Sequence, residues 1–297
     1  MHDPQGRCTN SSIKGRAMIY GVQLGAVTVG RDLRQGMADC EYWRKEAGLE
    51  AVEIDFSHPA LFSDGLKARV LISEIDEALK KEIISFGRNY RIKGGHLLWT
   101  SMGIRLVSAD ERVRAASFKT IEYSLKKMAE LRLDYATLHA EGCTEDFKGI
   151  LARLSKTAAG CKVALVVENM GGDEEWLSRT VREINNPYLR MTLDVGHFYN
   201  FHISKNNKTA GELTPLLADF IKTCKGILGN VHMHDHSGQT KTHPVDHLPI
   251  GKGVLDFKPL ISALEAISYG NSVNLEYGSA DRQDIIESVK ILRSAEK

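Results

Sequence analysis

The chain has 297 residues, 42% of them hydrophobic, and a formal net charge of +1. This length can bury a large core in one barrel-type domain or in two smaller domains, and the charge balance excludes a global attraction to nucleic acid or membranes. No apolar run approaches the roughly 20 residues that span a bilayer. Five widely spaced cysteines without a CxxC pair favour a reducing, cytoplasmic location.

Strand and helix patterns alternate along the chain after residue 17. Residues 1–17 lack the apolar core of a signal peptide, and we expect a disordered tail before a folded domain at 18–297. Eight short β-branched or apolar runs predict strands, and each precedes a segment with helical spacing. The predicted strands are MIYGVQ, AVEIDF, RIKGGH, DYATLH, VALVVE, RMTLD, NVHMHD and VNLEYG. The predicted helices cover 33–47, 70–86, 108–131, 144–158, 174–184, 211–225, 256–268 and 280–294.

This alternation predicts an α/β fold, a single closed parallel (β/α)8 TIM barrel. An open doubly wound sheet usually carries a Gly-rich phosphate loop after its first strand. The segment GVQLGAVTVG matches the GxGxxG pattern poorly. The most polar internal stretch, 200–210, is expected to be a mobile loop over the barrel.

Six consecutive predicted strands end in an imidazole or a carboxylate. The six residues are His96, His139, Glu168, Asp194, His232 and Glu276. In a parallel barrel these ends meet at one mouth, where neighbouring strands lie about 4.8 Å apart. One such residue is often a helix cap or an ion-pair partner, but unpaired carboxylates in succession would repel one another. A divalent cation removes that cost, so the pattern predicts a metal centre.

Further histidines lie in the loops after these strands. His197 follows Asp194 in LDVGH, and His247 precedes a Pro-Gly turn that can fold back over the mouth. In HMHDH, His232 is the predicted ligand, whereas His234 and His236 are expected to face solvent, since a short His-rich tract is only a compositional indication of metal binding.

Seven motifs in chain order resemble the xylose isomerase-like barrel superfamily. They are GGH, TLHAEG, VVENMGG, LDVGH, VHMHD, HLPIGKG and NLEYG. This superfamily includes sugar isomerases, ketose 3-epimerases, inositol-catabolism enzymes and the endonuclease IV type of abasic-site nuclease.

The resemblance to the sugar-isomerising branch implies one divalent metal ion held by Glu168, Asp194, His232 and Glu276. The ion would polarise a carbonyl and its neighbouring hydroxyl and stabilise an enediolate, with Glu168 and Glu276 as the acid and base. His197 would contact substrate oxygens. His232 is preferred to His234 because the family pattern places the ligand three residues before Asp235. Oxygen-rich ligation suits Mn, Mg or Co, and additional imidazoles favour Zn.

The resemblance to the nuclease branch implies nine ligands around three zinc ions. The chain matches eight of them: His96, His139, Glu168, Asp194, His197, His232, His247 and Glu276. Val245 occupies the ninth position, an aspartate in the family, and Asp246 lies next to it. Trp99 would be a wedge in DNA or a wall of a sugar pocket, and Lys252 an anchor for an anionic group such as phosphate.

The four-ligand set is complete and the nine-ligand set is not. The sequence therefore favours a metal-dependent isomerase or epimerase of a sugar or sugar phosphate. A multi-zinc endonuclease acting on abasic DNA is the alternative, favoured by the surplus of histidines, and a non-catalytic barrel is a third reading. His96, His139, His197 and His247 are expected to bind substrate or a further metal ion.

Overall fold

A computed structural model describes residues 18–27, 32–57, 70–71, 75–97, 103–239, 246–278 and 281–296 of the chain. The predicted tail at 1–17, Trp99 and Val245 lie outside these residues. None of the described helices is both long and apolar enough to cross a membrane.

Eight parallel strands close into a barrel, as predicted. The strands of the sheet are β1 (Ile19–Gln23), β2 (Ala51–Ser57), β3 (Val70–Leu71), β4 (Ile92–His96), β5 (Tyr135–His139), β6 (Ala164–Glu168), β7 (Leu189–Asp194), β8 (Leu228–Met233) and β9 (Ser272–Leu275). Strand β1 pairs with both β2 and β9, which closes the barrel, and the two-residue β3 pairs only with the end of β2. The single (β/α)8 barrel predicted from the alternation is therefore confirmed.

Helices follow the strands. They are α1 (Leu24–Val27), α2 (Leu33–Ala47), α3 (Glu77–Gly87), α4 (Glu111–Glu130), α5 (Glu145–Cys161), α6 (Glu174–Ile184), α7 (Val195–Asn206), α8 (Ala210–Thr223), α9 (Phe257–Ala266) and α10 (Arg282–Ser294). The predictions at 33–47 and 174–184 match α2 and α6. The prediction at 70–86 starts too early, because the Asp76 carboxylate accepts the Leu79 N–H and begins α3 there.

The predicted mobile loop at 200–210 is wrong for most of its length. Its first residues belong to α7, which begins where the Asp194 carboxylate accepts the N–H of His197. Asn207 ends this helix with a left-handed φ of 51°. Thr209 and Glu212 then form a reciprocal capping box that begins α8. Asn207 and Thr209 are helix caps, and the polar residues before them lie within the last turns of α7. A helix end followed closely by a helix start therefore has the composition of a loop.

Strand alternation divides apolar from polar residues across the barrel wall. On β8, Val231 and Met233 belong to the apolar core, whereas Asn230 and His232 alternate with them and are also completely buried. Asn230 and His232 both contact Glu53 of β2, which is not a neighbour of β8 in the sheet, so these side chains meet inside the barrel. The barrel interior is thus polar below the mouth, although such interiors are commonly filled by Val, Ile and Leu.

Candidate metal centre at the barrel mouth

The parallel sheet brings the predicted site residues to the same end of the barrel. His139 pairs with Glu168 across β5 and β6, and Asp194 pairs with His232 across β7 and β8. Glu276 follows β9, where its N–H donates to the Met233 carbonyl. Four adjacent strands therefore deliver Glu168, Asp194, His232 and Glu276 side by side to the C-terminal mouth.

These four side chains form one buried cluster. Each offers an oxygen or nitrogen atom, and the four atoms lie within 4.8 Å of one another. His232 Nδ1 is 2.6 Å from Glu276 Oε2, 3.3 Å from Glu168 Oε2 and 4.0 Å from Asp194 Oδ2. The imidazole nitrogen is thus surrounded by three carboxylates.

The atoms of this cluster fit a divalent cation. His232 Nδ1, Glu276 Oε2 and Glu168 Oε1 are buried and have no hydrogen-bond partner among the described residues. The first two are only 2.6 Å apart, yet their directions do not meet the geometry of a hydrogen bond. Buried polar atoms without a partner are rare in folded proteins. These atoms lie close together and the cluster carries excess negative charge, so a bound cation would stabilise it.

The electrostatic field at the mouth keeps the carboxylates ionised. Burial alone would raise the pKa of Glu168, but the imidazoles of His139 and His232 outweigh it and hold that pKa well below its usual range. Burial also opposes ionisation of Glu276, yet His232 beside it lowers its pKa to about 2. Asp194 is shifted down in the same way by His197 and His234, against the effect of burial. All three carboxylates are therefore available as charged oxygen donors at neutral pH.

Three further imidazoles surround Glu168. His96 Nε2 lies 3.2 Å and His139 Nε2 lies 3.6 Å from Glu168 Oε2, and His197 Nδ1 lies 3.3 Å from Glu168 Oε1. Burial lowers the pKa of His139 to about 4, so this ring is neutral near pH 7. The structure thus places His96, His139 and His197 at the same mouth as the four-residue cluster. Their roles as substrate or metal ligands stay predictions.

The expectation that His234 and His236 face solvent is wrong. Both are completely buried. His234 Nδ1 accepts the N–H of His247, at 2.8 Å, and its Nε2 lies 3.2 Å from both oxygens of Asp194. Because Nδ1 is an acceptor, the hydrogen of the neutral ring is on Nε2, which donates to Asp194. His234 therefore orients Asp194. Asp194, His234 and His247 are close enough together to suggest a second cation site. In this tautomer, however, His234 Nε2 has no lone pair for a cation.

The segment after β8 folds back over the mouth through Asp235. The Asp235 carboxylate accepts the N–H groups of Gly251, Gly253 and Leu255, and its backbone pairs with Leu248. This arrangement explains the composition of HLPIGKG, since a Cβ on Gly253 would overlap the Asp235 carboxylate. The return of this segment brings His247 next to Asp194 and His234 at the mouth.

His247 is held from two sides. Its ring stacks on His234 with centroids 4.1 Å apart, and its Nδ1 lies 3.0 Å from Asp246 Oδ1. The other oxygen of Asp246 accepts from Asn200 Nδ2, at 3.1 Å. His247 therefore donates through Nδ1 and keeps an acceptor at Nε2.

Lys252 lies at the rim. Its side chain is 63% exposed, and its ammonium group is 3.9 Å from Asp284 Oδ1 at the start of α10. This ion pair is exposed and long, so it does not fix the ammonium group strongly. The anchoring of an anionic substrate by Lys252 stays a prediction.

Sequence reasoning missed Glu53. This residue of β2 is completely buried, and its carboxylate lies 3.2 Å from His232 Nε2. The available signal was a charged residue inside the apolar run AVEIDF, where burial of a charge requires a partner. The pattern did not reveal which partner, because β2 and β8 are far apart in the sequence.

Comparison with known proteins identifies the family. Residues 42–295 match the family model described as xylose isomerase-like TIM barrel, and the chain belongs to this family. Two uncharacterized proteins of Methanocaldococcus jannaschii, MJ1311 and MJ1614, are 24% and 27% identical over 63% and 64% of this chain. The matches span 64% of the first relative and 74% of the second.

Solved structures share the fold over nearly the whole chain. A D-tagatose 3-epimerase-like protein has a TM-score of 0.68 at 19% identity, covering 94% of this chain and 97% of its own. An L-ribulose 3-epimerase has a TM-score of 0.67 at 15% identity, covering 94% and 96%. The IOLI protein with a bound zinc atom has a TM-score of 0.66 at 16% identity, also covering 94% and 96%. At these identities the likeness establishes the common barrel.

Proposed function

We propose that the chain is a divalent-metal-dependent isomerase or epimerase of a sugar or sugar phosphate. The observation that carries this proposal is the buried cluster of Glu168, Asp194, His232 and Glu276, in which two glutamates flank the other two groups at the ends of four adjacent strands. Two solved neighbours, a D-tagatose 3-epimerase-like protein and an L-ribulose 3-epimerase, support it. The zinc atom of a third neighbour supports a divalent metal.

The four groups of the cluster would hold one cation, which would act as a Lewis acid on a substrate carbonyl and its neighbouring hydroxyl. Glu276, with a pKa of about 2, is an ionised base at neutral pH. Glu168 is ionised as well and lies on the other side of the cluster. One carboxylate would take the proton from the carbon beside the carbonyl. The other carboxylate, once it has taken up a proton from solvent, would deliver that proton to the opposite face of the same carbon, and the first would release its proton to solvent. The half-buried imidazole of His197 would orient substrate oxygens.

The first test is a metal count together with proton exchange. Protein purified without added metal should contain about one equivalent of a divalent ion if one four-ligand site is filled. Incubation with ketohexoses and ketopentoses, free and phosphorylated, in deuterated water should incorporate deuterium at the carbon beside the carbonyl for at least one sugar. A chelator should abolish this exchange.

A matched pair of variants sharpens the test. Glu276→Gln should lose exchange while it retains the fold. Glu183→Gln, which makes the same chemical change at the surface where Glu183 pairs with Lys148, should exchange like the unchanged protein. Exchange by metal-free protein, or full activity of Glu276→Gln, would contradict the proposed mechanism.

One observation favours a second candidate, a multi-zinc nuclease acting at abasic sites. Glu168 Oε2 lies close to His96 and His139 as well as to His232, so one carboxylate could bridge two cations. Two or three metal equivalents, and salt-sensitive incision of an abasic duplex that a chelator stops, would favour this function. No incision by fully metallated protein would support the isomerase or epimerase.

A further inference from the structure

Glu53 is a buried carboxylate that the proposed reaction does not use. It lies on β2, is completely buried, and receives hydrogen bonds on both oxygens. Its Oε2 accepts from Tyr135 Oη at 2.7 Å, from Asn230 Nδ2 at 2.9 Å and from Asn274 Nδ2 at 3.4 Å. Its Oε1 lies 3.2 Å from His232 Nε2. Glu53 therefore links the polar interior of the barrel to a residue of the candidate metal centre.

These contacts determine which nitrogen of His232 can bind a cation. The Glu53 carboxylate accepts from Tyr135 and Asn230 and turns its Oε1 toward the His232 ring, so the ring nitrogen facing Glu53 is the donor of that contact and carries a hydrogen. That nitrogen is Nε2, so the only ring nitrogen that can supply a lone pair to a cation is Nδ1. Nδ1 is the atom that lies 2.6 Å from Glu276 Oε2 and 3.3 Å from Glu168 Oε2 and has no hydrogen-bond partner among the described residues.

We infer that Glu53 is a positioning residue that fixes the Nε2-protonated form of His232 and so presents Nδ1 to the metal ion. The inference rests on the proposed metal site and does not depend on which substrate is turned over. A hydrogen-bonded carboxylate behind a ligating imidazole sets the orientation of the ring and raises its basicity as a ligand. Glu53 itself is held by Tyr135 and Asn230, so the ring orientation is set before a cation arrives.

The substitution Glu53→Gln exposes this dependence because a carboxamide has only one acceptor oxygen. With its oxygen at the Oε2 position, the amide satisfies Tyr135 and Asn230 and keeps an acceptor 3.3 Å from His232 Nε2, but it places an N–H group at the Oε1 position, 3.2 Å from the same nitrogen. With its oxygen at the Oε1 position, it accepts from His232 but opposes the donors of Tyr135 and Asn230. Each orientation leaves donors facing donors when Nε2 is protonated, which is the form that metal binding through Nδ1 requires.

The experiment measures Zn²⁺ affinity by competition with a chromophoric chelator, with folding checked by circular dichroism. Glu53→Gln should bind Zn²⁺ about 10–100-fold more weakly than the unchanged chain. Tyr135→Phe is the matched control, because it removes one hydrogen bond to Glu53 and leaves both groups of the Glu53–His232 contact in place. It should weaken Zn²⁺ binding less than Glu53→Gln does, because Asn230 still holds the Glu53 carboxylate.

Nitrogen NMR of ¹⁵N-histidine-labelled, Zn²⁺-loaded protein gives an independent result. In the unchanged chain, His232 should carry its hydrogen on Nε2 and coordinate through Nδ1. An unprotonated or metal-bound Nε2 would overturn the inference, and so would unaltered Zn²⁺ affinity in folded Glu53→Gln. If that variant does not fold, the NMR result alone decides. A chain that shows both expected results but turns over no sugar would refute the proposed function and leave the role of Glu53 intact.

Discussion

Replacing Gly196 with alanine tests how closely the second residue of α7 packs against His234. A Cβ at this position would lie no more than 2.6 Å from three atoms of the His234 ring. His234 is completely buried, so the ring has no open space into which it can turn. We therefore expect the added methyl group to displace the ring from its contacts with His247 and Asp194.

The magnitude follows from opposing contributions. Alanine in place of glycine inside a helix ordinarily stabilises by about 0.5–1 kcal/mol. Overpacking costs about 1–3 kcal/mol, and each of the two hydrogen bonds of His234 contributes about 0.5–1.5 kcal/mol. The expected result is a loss of about 1–5 kcal/mol in the free energy of unfolding. Gly149→Ala is the control, because a Cβ on this glycine of α5 meets no atom within 4 Å, and it should stabilise by up to about 1 kcal/mol.

Urea unfolding of both variants, without metal and with Zn²⁺, measures these changes. Gly196→Ala should also bind Zn²⁺ about 10–100-fold more weakly, because the carboxylate of Asp194 loses the group that orients it. Gly149→Ala should bind Zn²⁺ normally. Equal stabilisation by the two substitutions, with unchanged Zn²⁺ affinity, would refute the packing and the orienting role assigned to His234.

Three further outcomes are expected. Glu276→Gln should keep the fold and most metal binding but lower turnover by about 10²–10⁴-fold, and turnover at the original rate would remove the two-carboxylate mechanism. His247→Ala should raise KM more than it lowers kcat if the imidazole accepts a hydrogen bond from a sugar hydroxyl, whereas joint loss of metal and activity would assign it to a cation. Burial lowers the pKa of His96, but Glu168 outweighs burial and raises it to about 9. Because the folded-state pKa of His96 is higher than the unfolded value near 6.5, protonated His96 stabilises the fold fully below pH 6.5, and this stabilisation disappears as the pH rises through 9. Urea unfolding of metal-free protein should therefore show a decreasing free energy of unfolding between about pH 6.5 and 9. A His96→Gln variant should lack this part of the pH dependence.

The barrel could be predicted from the sequence because two local patterns agree. The alternation of strand and helix spacing predicts parallel strands, and the ionisable residues at the strand ends predict a shared C-terminal mouth. The side chains of Glu168, Asp194 and Glu276 meet because parallel strands have their C-terminal ends at the same mouth of the barrel. The helix α7 was missed because its polar C-terminal residues resemble a loop, although the cap at Asp194 was present in the sequence. An N-cap side chain bonds to a backbone N–H two or three residues later. The sequence predicts such a cap only when the polar residue and the apolar spacing of the following helix are considered together.

Contacts between distant segments were not predictable in the same way. The orienting role of His234 depends on the return of the segment that contains His247, and that return depends on Asp235 accepting three backbone N–H groups. A histidine-rich tract gives no indication of which ring will be buried against which carboxylate. Glu53 is a similar case, because its partner His232 lies on a strand across the barrel.

The position of Asp246 bears on the number of metal ions. The resemblance to the nuclease branch implies an aspartate at the position of Val245, and Asp246 is the neighbouring carboxylate. In the structure both oxygens of Asp246 are already engaged, one with His247 Nδ1 and the other with Asn200. Asp246 therefore has no free oxygen with which to bind a cation together with His197 and His247. The other carboxylates near His197 are Glu168 and Asp194, which already belong to the four-residue cluster. A further dication at His197 and His247 would lack a carboxylate of its own, so these imidazoles are better suited to hydrogen bonds with a neutral polyol. The arrangement of Asp246 thus favours a single cation at the Glu168–Glu276 cluster, and a metal count of three would show that Asp246 leaves both partners when metal binds.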